Sequence, residues 1–497
     1  MRKNPLLAAW AMMLIWFVTA GWVAEAKEPK AEFPAKTSQE EIRPRLLTLR
    51  ECLDIALENN RRRPVSRFDV EIADAQLRQA LSSYWPQLGA KASYLRLDED
   101  PNFVFPATTF SVPGSTIIVN TPLGPLPVTI PAQSVNVPEQ DIKLMDKETM
   151  AANLNLVYPL YTGGMRPAIV KQARSGLEAA KQEARRTDLQ VIYDVKRIYH
   201  GAVLAKRLHG IAADALARME VTLDLTESLY KGRSTRVKKT DYLRNKTVVE
   251  GLRSTVALLK GNERLALAAL TNAIGLDWDA EIGVSEEEIP YRPYEADLKK
   301  LVGNAYSFNP DWKKLEEGIK ATEAQVEEKN AGHLPRIALV GNLTHIENSY
   351  DKGMVTPENK HSWSAGIVMN LPLFQGFRTR NEVREAQARL EKIRHQKVLL
   401  REGIALQVKD VFLQMARSQE QRQAMQEAVK SAEENRDLNE RAYQEEMVET
   451  KDVIEAQLVE SFMKANNEKT LYDHIESQAR LEFVVGKEIE SILQEIR

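Results

Sequence analysis

A short alternating stretch that stops at a proline and a glycine, then passes into a very long proline-free segment, occurs twice in this chain. Few folds accommodate that junction even once. In the first occurrence Tyr158-Pro159-Leu160-Tyr161-Thr162-Gly163-Gly164 leads past Pro167 into a run with no further proline until Pro290. In the second, Leu371-Pro372-Leu373-Phe374-Gln375-Gly376 opens a run in which Val383, Ala386, Leu390, Ile393, Leu400, Ile404, Val408, Val411 and Met415 recur mostly at three- and four-residue intervals. That spacing is a coiled-coil seam, with Glu, Arg, Gln and Lys on the other faces. A helix from Gly376 to near Tyr443 extends about 100 Å at 1.5 Å per residue.

The repetition reaches further upstream. The interval from Asn60 to Pro86 equals that from Asn309 to Pro335, and each is an amphipathic helical stretch ended by a proline. Alternating segments follow: Leu88–Leu97 and about Thr149–Leu160 in the first copy, Ile337–Ile346 and His361–Leu373 in the second. Ala152, Leu154, Leu156 and Tyr158 share a face opposite Ala151, Asn153 and Asn155; Trp363, Ala365, Ile367, Met369 and Leu371 alternate with Ser364, Gly366 and Asn370. The expected organisation is a signal peptide at 1–26, an extension at 27–47, a first repeat at 48–285, a linker at 286–298 with two prolines, and a second repeat at 299–497.

Arg2 and Lys3, the apolar run Leu6–Ala24 and the small-x-small site Ala24-Glu25-Ala26 make the export signal; the alternative is a retained anchor helix. The one cysteine, Cys52, allows no internal disulfide, so packing or assembly must supply stability. A formal charge of -2 gives no reason to expect nucleic acid as a partner. No later segment has the roughly 20 apolar residues of a spanning helix, so any membrane crossing is made by strands.

Ten alternating residues is the length of a tilted transmembrane strand, although a soluble hairpin has the same pattern. Four such strands cannot close, because the smallest membrane barrels have about eight, and an open edge in hydrocarbon leaves costly unpaired backbone groups. Strands in a membrane therefore imply a barrel shared among several chains. The Pro and Gly would mark where each strand leaves the bilayer and becomes a helix.

These features together resemble the TolC family of outer-membrane efflux proteins over nearly the whole mature chain. The markers are "LTLRECLDIALENN", the helix-to-strand joints "SYWPQL" and "GHLPRI", the strand-to-helix joints at Pro159, Gly163, Gly164 and Pro372, Gly376, and the duplication. The resemblance implies a mainly α chain with a small β part. Long coiled-coil-like helices would form an α-helical barrel in the periplasm, and four transmembrane strands per chain would enter a trimeric, twelve-stranded outer-membrane β-barrel. It implies a passive export duct in a tripartite efflux or type I secretion system, docked to a periplasmic adaptor (membrane fusion protein) and an inner-membrane transporter. It also implies helical-hairpin turns around Leu229–Leu243 and Ala442–Ala456 at the periplasmic tip. There Asp452 and Glu455 match a pair of acids, Tyr443 a tip tyrosine, and Asp241 the first copy's Asp. Asp452 and Glu455, at i and i+3, share a helix face and would form carboxylate rings around a symmetry axis, which attract cations; the alternative is a solvated acidic face. The family's tip arginine would fall on Val448, so Arg233 or Arg236 is the substitute in a tip gate.

The first copy differs in having "NNRRRP" after Asn60 where the second has Asn309-Pro310, and in its first hairpin loop. That loop, Pro101–Pro138, carries eight prolines and no charged residue. It reads as a stiff arm without a specific role or as a lid or collar over the barrel mouth. No phosphate-cradling loop, catalytic motif or cofactor signature is present, so no enzyme activity is expected. The seven histidines read as surface residues; His345 and His361 flank a hairpin loop without a third metal ligand. The competing function is an exported structural or adhesive coiled-coil protein.

Overall fold

Each strong apolar period in the sequence becomes a helix, and the two copies yield helices of equal length. A computed structural model describes residues 45–232, 234, 236–293 and 297–487; the expected signal peptide lies outside the described residues, as does most of the extension that follows it. The described residues from Leu46 onward belong to one compact unit. The first repeat runs β1 (Arg45–Leu47), α1 (Leu49–Asn59), α2 (Arg62–Ser82), β2 (Gln87–Arg96), six short strands, β9 (Glu148–Tyr161), α3 (Met165–Lys231) and α4 (Lys239–Ile274). After β10 (Ile282–Val284) the second runs α5 (Leu298–Phe308), α6 (Pro310–Asn330), β11 (Arg336–Asn348), β12 (His361–Asn370), α7 (Arg378–Gln444) and α8 (Thr450–Val485). Corresponding helices match residue for residue in length: 11, 21, 67 and 36. At 1.5 Å per residue the long helices extend about 100 Å.

Two cores hold the repeats, and they are built alike. In the first, Cys52 and Ala56 of α1 meet Val191, Val195 and Tyr199 of α3 and Leu270 and Ile274 of α4. In the second, Leu301 and Ala305 of α5 meet Ile404, Val408 and Val411 of α7 and Leu481 and Val485 of α8. Each short helix is thus wedged where a long helix passes its shorter returning partner. The wedge is pinned twice by the same chemistry. The Asn60 side-chain amide donates to the Ala273 carbonyl at 2.8 Å, and that of Asn309 to the Val484 carbonyl at 2.8 Å. Gly275 and Gly486, both in the left-handed region, end α4 and α8 there. A Cβ on either would lie 2.5 or 2.6 Å from a carbonyl oxygen of the facing helix end, Asn59 or Phe308. Only glycine fits both the φ and the gap.

The seam of α7 is as expected: Ala386, Ile404, Val408, Val411 and Met415 are buried, and Val383, Leu390, Ile393 and Leu400 partly so. Two expectations need correcting. The strand predicted to reach Leu373 ends at Asn370, because Pro372 has no N–H for the ladder. In the first copy β9 continues through Pro159 to Tyr161; β2 pairs no further than Val157, and a register irregularity falls opposite Ile337 and Ala338. The reading of all histidines as surface residues fails at His200 and His474, which are buried. His474 Nδ1 lies 2.9 Å from the Ser418 hydroxyl and its Nε2 2.9 Å from the Arg292 carbonyl, so the linker is fastened to α8.

The charge-free loop is also more ordered than a loop. Together with the charged segment that follows it, it forms β3 (Asn102–Phe105) with β8 (Gln140–Lys143), β4 (Thr108–Val112) with β7 (Gln133–Val137), and β5 (Ser115–Thr121) with β6 (Gly124–Ile130), one nested antiparallel arm.

Candidate functional site: a two-faced sheet and a clamped tip

The four long strands form one antiparallel sheet in the order β12-β11-β9-β2, so β2 and β12 are both edges. Register places whole rows of side chains on one side. Ala90, Leu154, Leu343 and Trp363 are aligned across the sheet, as are Leu88, Leu156, Gly341 and Ala365. On the opposite face Gly89, Asn155, Asn342 and Ser364 lie between these two rows, and Lys91, Asn153, Thr344 and Ser362 lie just beyond the first. The Thr344 hydroxyl donates to the Asn153 side-chain oxygen at 2.8 Å within that polar face. Trp363, Ile367 and Met369 are 64–76% exposed on the apolar face. Across these central rows the sheet is apolar on one side and polar on the other, with Val157 and Val340 joining the polar side toward the helices and His345 and His361 the apolar side toward the hairpin ends, a pattern that suits the wall of a water-filled barrel in lipid. A soluble sheet would cover its apolar face.

Where the sheet meets the long helices the backbone turns through the left-handed region twice in each copy. Gly163 and Gly164 do so before α3. Gly376 and Phe377 do so before α7, so the second copy places a phenylalanine where the first has glycine. Such a position costs a non-glycine residue about 1–2 kcal/mol. Phe377 contacts Phe374 edge-to-face at 5.4 Å, and both are exposed, as are Trp85 and Tyr161 at the same end of the sheet. Exposed aromatics at this level suit a membrane–water interface.

The far ends of the long helices turn at 232–238 and 445–449. Arg233 lies outside the described residues. Asp241 and Asp452 hold the same local position, the third residue of their helices. Each accepts a hydrogen bond from the backbone N–H three residues earlier, Lys238 at 2.9 Å and Glu449 at 3.1 Å. A carboxylate there satisfies an orphan donor and suits the positive end of the helix dipole. Asp452 and Glu455 are both exposed. Tyr443 is buried: its hydroxyl lies 2.8 Å from that of Thr226 and 2.9 Å from that of Thr450, and the Asn245 amide reaches Thr226 at 3.3 Å. That network draws residues from α3, α4, α7 and α8 together. Arg236 donates to the Glu446 carbonyl and the Ser234 hydroxyl to the Glu446 carboxylate, so Arg236 joins the two turns of one chain.

Sequence reading missed a charge cluster above the tip. Glu460 of α8 is fully buried and meets Arg218 of α3 at 2.9 Å, Arg436 of α7 at 2.8 Å and Lys464 at 2.5 Å. Burial alone would raise its carboxyl; the Lys464 hydrogen bond and the charges of Arg218, Lys464 and Arg436 outweigh that and hold it below the usual glutamate range. The sequence signal, an i,i+4 Glu-Lys pair, is too common on helices to single out. His345 and His361 pair across β11 and β12 with their Nδ1 atoms 3.1 Å apart. Among the described residues no group of three or more ligand-type side chains could hold a metal, and no helix is long and apolar enough to cross a membrane.

The profile of the family described as outer membrane efflux protein matches residues 52–276 and 301–487, one segment in each repeat. Protein CyaE of Bordetella pertussis (strain Tohama I) is 26% identical over 242 residues, 48% of this chain and 50% of that protein. The chain thus matches about half the length of this curated relative. Among solved structures, a membrane protein from Pseudomonas aeruginosa superposes with a TM-score of 0.70 at 18% identity, covering 88% of this chain and 90% of that one. The Campylobacter jejuni CmeC outer membrane channel gives 0.70 at 16% identity, covering 94% and 96%.

Proposed function

This chain belongs to the outer membrane efflux protein family, and from that premise we propose that it is one subunit of a trimeric, passive export duct. Three copies of the sheet supply twelve strands, an even number above the minimum of about eight. The trimer comes from the family; the sheet alone requires more than one chain. The observation that carries the reading is the sheet itself, with both edges unpaired, one face apolar and the other lined by Lys91, Asn153, Asn155, Asn342, Thr344 and Ser364. In hydrocarbon the edges must be joined. The long helices then run from the barrel into the periplasm, where the tip meets a periplasmic adaptor and an inner-membrane transporter. Energy for export comes from the transporter. Cargo is a small molecule or, in a type I secretion system, a protein.

The exposed acids Asp452 and Glu455 at the tip become carboxylate rings in the assembled trimer and favour cations. Arg236, Tyr443 and Asp241 hold the tip turns of each chain in shape and, with Arg233, are the residues of a tip gate in the assembled duct. The decisive measurement is the mass of the purified mature protein in detergent together with conductance in a planar bilayer. A detergent-dependent trimer that conducts is expected; a water-soluble monomer would establish the competing structural or adhesive coiled-coil protein.

A further inference from the structure

We propose that the arm formed by β3 to β8 is covered by the same arm of the neighbouring subunits, so that three arms make an intersubunit collar at the end of the barrel remote from the helices. The proposal rests on the shared-barrel reading above and adds an occupant for a surface that reading leaves bare.

The arm is a built element with a fixed root. It leaves β2 and returns to β9 at the end of the sheet opposite the helix joints. The Met354 N–H donates to the Leu144 carbonyl at 2.7 Å, and the Leu144 N–H to the Pro101 carbonyl at 2.8 Å. The Asp146 N–H donates to the Asn348 side chain at 2.8 Å, tying the root to the second repeat's hairpin. Above the root the ladders break at matched places on both strands, Pro106 opposite Pro138 and Pro113 opposite Pro131. Proline cannot donate to a ladder, so these pairs are joints between stiff segments.

All three segments expose apolar side chains, and the middle one is sharply two-faced. Phe103 and Phe105 share a side in the first, with Val104 and Asp141 on the other. In the second, Phe110 pairs with Val135 while the reverse carries Thr109 with Asn136 and Ser111 with Ser134. In the third, Ile117 pairs with Val128 and Val119 with Leu126, and the reverse face also carries the apolar pair Ile118 and Pro127. These apolar side chains are about half exposed; Phe110 is 60% exposed. Together they amount to on the order of 1,000 Å² of open apolar surface, more than a monomer usually leaves uncovered and enough for a specific interface.

Charge and geometry select the occupant. Residues 101–138 contain no charged side chain, and the charges of β8 lie at the root, where Lys143 pairs with Asp100 and Asp141 accepts from Asn102, so nothing above the root recognises a charged lipid headgroup or an acidic or basic partner. Nor can the arm sink into hydrocarbon, because a two-stranded ladder has two unpaired edges. The adjacent arm has the same uncharged apolar face. It is also tethered nearby, because β2, from which the arm rises, is the edge that must pair with the next subunit. Tethering gives such a contact a high effective concentration. Reach is sufficient: twenty residues from Asn102 to Thr121 extend about 65 Å at 3.3 Å each. A twelve-stranded barrel with 4.8 Å spacing and about 40° tilt is only about 24 Å across.

The test places p-benzoylphenylalanine at Phe110 or, as control, at Thr109 on the polar face of the same segment. Intact cells expressing the full-length chain are irradiated, and adducts are identified by mass spectrometry. Trimer content in detergent is measured on the same material. The proposal expects arm-to-arm adducts between two copies of the chain at Phe110, at least about fivefold above Thr109. With the trimer intact, adducts to lipid, to a different protein or within one chain, equal yields at both positions, or no adduct at all would each overturn it. Loss of the trimer in the unmodified protein would instead overturn the shared-barrel reading.

Discussion

Ala365 and Ser364 are neighbours in the middle of β12, both small, and register sends them to opposite faces. Placing arginine at each separates a membrane wall from a soluble sheet. Ala365 lies in the row of Leu88, Leu156 and Gly341, flanked on its own strand by Trp363 and Ile367. If that row faces lipid, Ala365→Arg puts a cation near the bilayer midplane at about 2–4 kcal/mol per chain. Three copies make about 6–12 kcal/mol per trimer, a large fraction of the 5–15 kcal/mol that holds a typical domain. Ser364→Arg instead adds a cation beside Asn342 and Asn155, in water, and an exposed change there costs within about 0.5 kcal/mol. The assay is guanidinium unfolding of protein reconstituted in lipid vesicles, followed by tryptophan fluorescence and by heat-modifiable mobility on gels. The expected order is Ser364→Arg close to the parent and Ala365→Arg strongly destabilised or uninserted. Equal losses would refute the assignment of faces, and a larger loss for Ser364→Arg would invert it.

Glu460→Gln keeps the volume but strands Arg218, Arg436 and Lys464 together, and removing one partner of a buried ion cluster costs about 3–5 kcal/mol. The lower end is expected here, because the Arg218 and Lys464 side chains are 29% and 31% exposed and can hydrate. Because the Glu460 carboxyl is held below its ordinary 4.5, its contribution is present above that value and lost as pH falls through it toward the lower folded value, so the variant should show a flatter acid limb in denaturant titrations. His200 works over a higher window: burial, then the Lys196 charge, depress it from 6.5 to about 4. Its contribution is therefore present above pH 6.5 and lost progressively as pH falls toward 4, a loss that His200→Gln should abolish in melts compared at neutral and mildly acidic pH. Gly486→Ala forces a Cβ against the Phe308 carbonyl at a left-handed residue and should cost about 2–4 kcal/mol in the same unfolding assay, with Gly275→Ala matching it and Gly403→Ala, in an open helical position, costing nothing measurable. The double variant Asp452→Asn, Glu455→Gln, in which asparagine can still cap α8, should lose cation preference in bilayer conductance while keeping its thermal stability; unchanged selectivity would remove the carboxylate rings.

Periodicity made the strands, the long helices and the seam of α7 legible, because apolar spacing reports which face is covered whatever covers it. The joints at Pro159 and Pro372 were legible for a similar reason, since proline and glycine act on the local backbone. What escaped depends on partners distant in sequence. Glu460 is one of 70 acids, and only the crossing of α3, α7 and α8 singles it out by burying it. Gly275 and Gly486 owe their role to the end of a short helix far upstream, at Asn59 and Phe308. Tyr443 is legible by its place at the tip, but the partners of its hydroxyl, Thr226 and Thr450, are distant or unmarked in the sequence and are not. The stiffness of the arm was legible in its eight prolines, but its ladders were not, because proline conceals strand propensity and only the pairing of prolines at matched breaks reconciles them with a ladder.

Equal lengths in the two repeats have a mechanical cause. One residue added to α3 but not to α7 would raise its end by about 1.5 Å and rotate its apolar stripe by about 100°. The first displacement would tilt one strand pair relative to the other in the bilayer, and the second would turn the seam away from its neighbour. Helices of 67 and 36 residues are therefore matched because they connect a level membrane wall to a level tip. Length differences are confined to places where nothing continues beyond them. The tip turns differ, 232–238 against 445–449, and so do the hairpin connections, a long arm after β2 against the short 349–360 after β11. Change is tolerated at both free ends of the sheet–helix column and nowhere along it. A deletion of one full heptad from α3 alone should therefore abolish assembly, whereas the same deletion made in both α3 and α7, with compensating ones in α4 and α8, should leave a shorter duct that still forms trimers in detergent. Assembly of the singly shortened chain at parental yield would refute the matching.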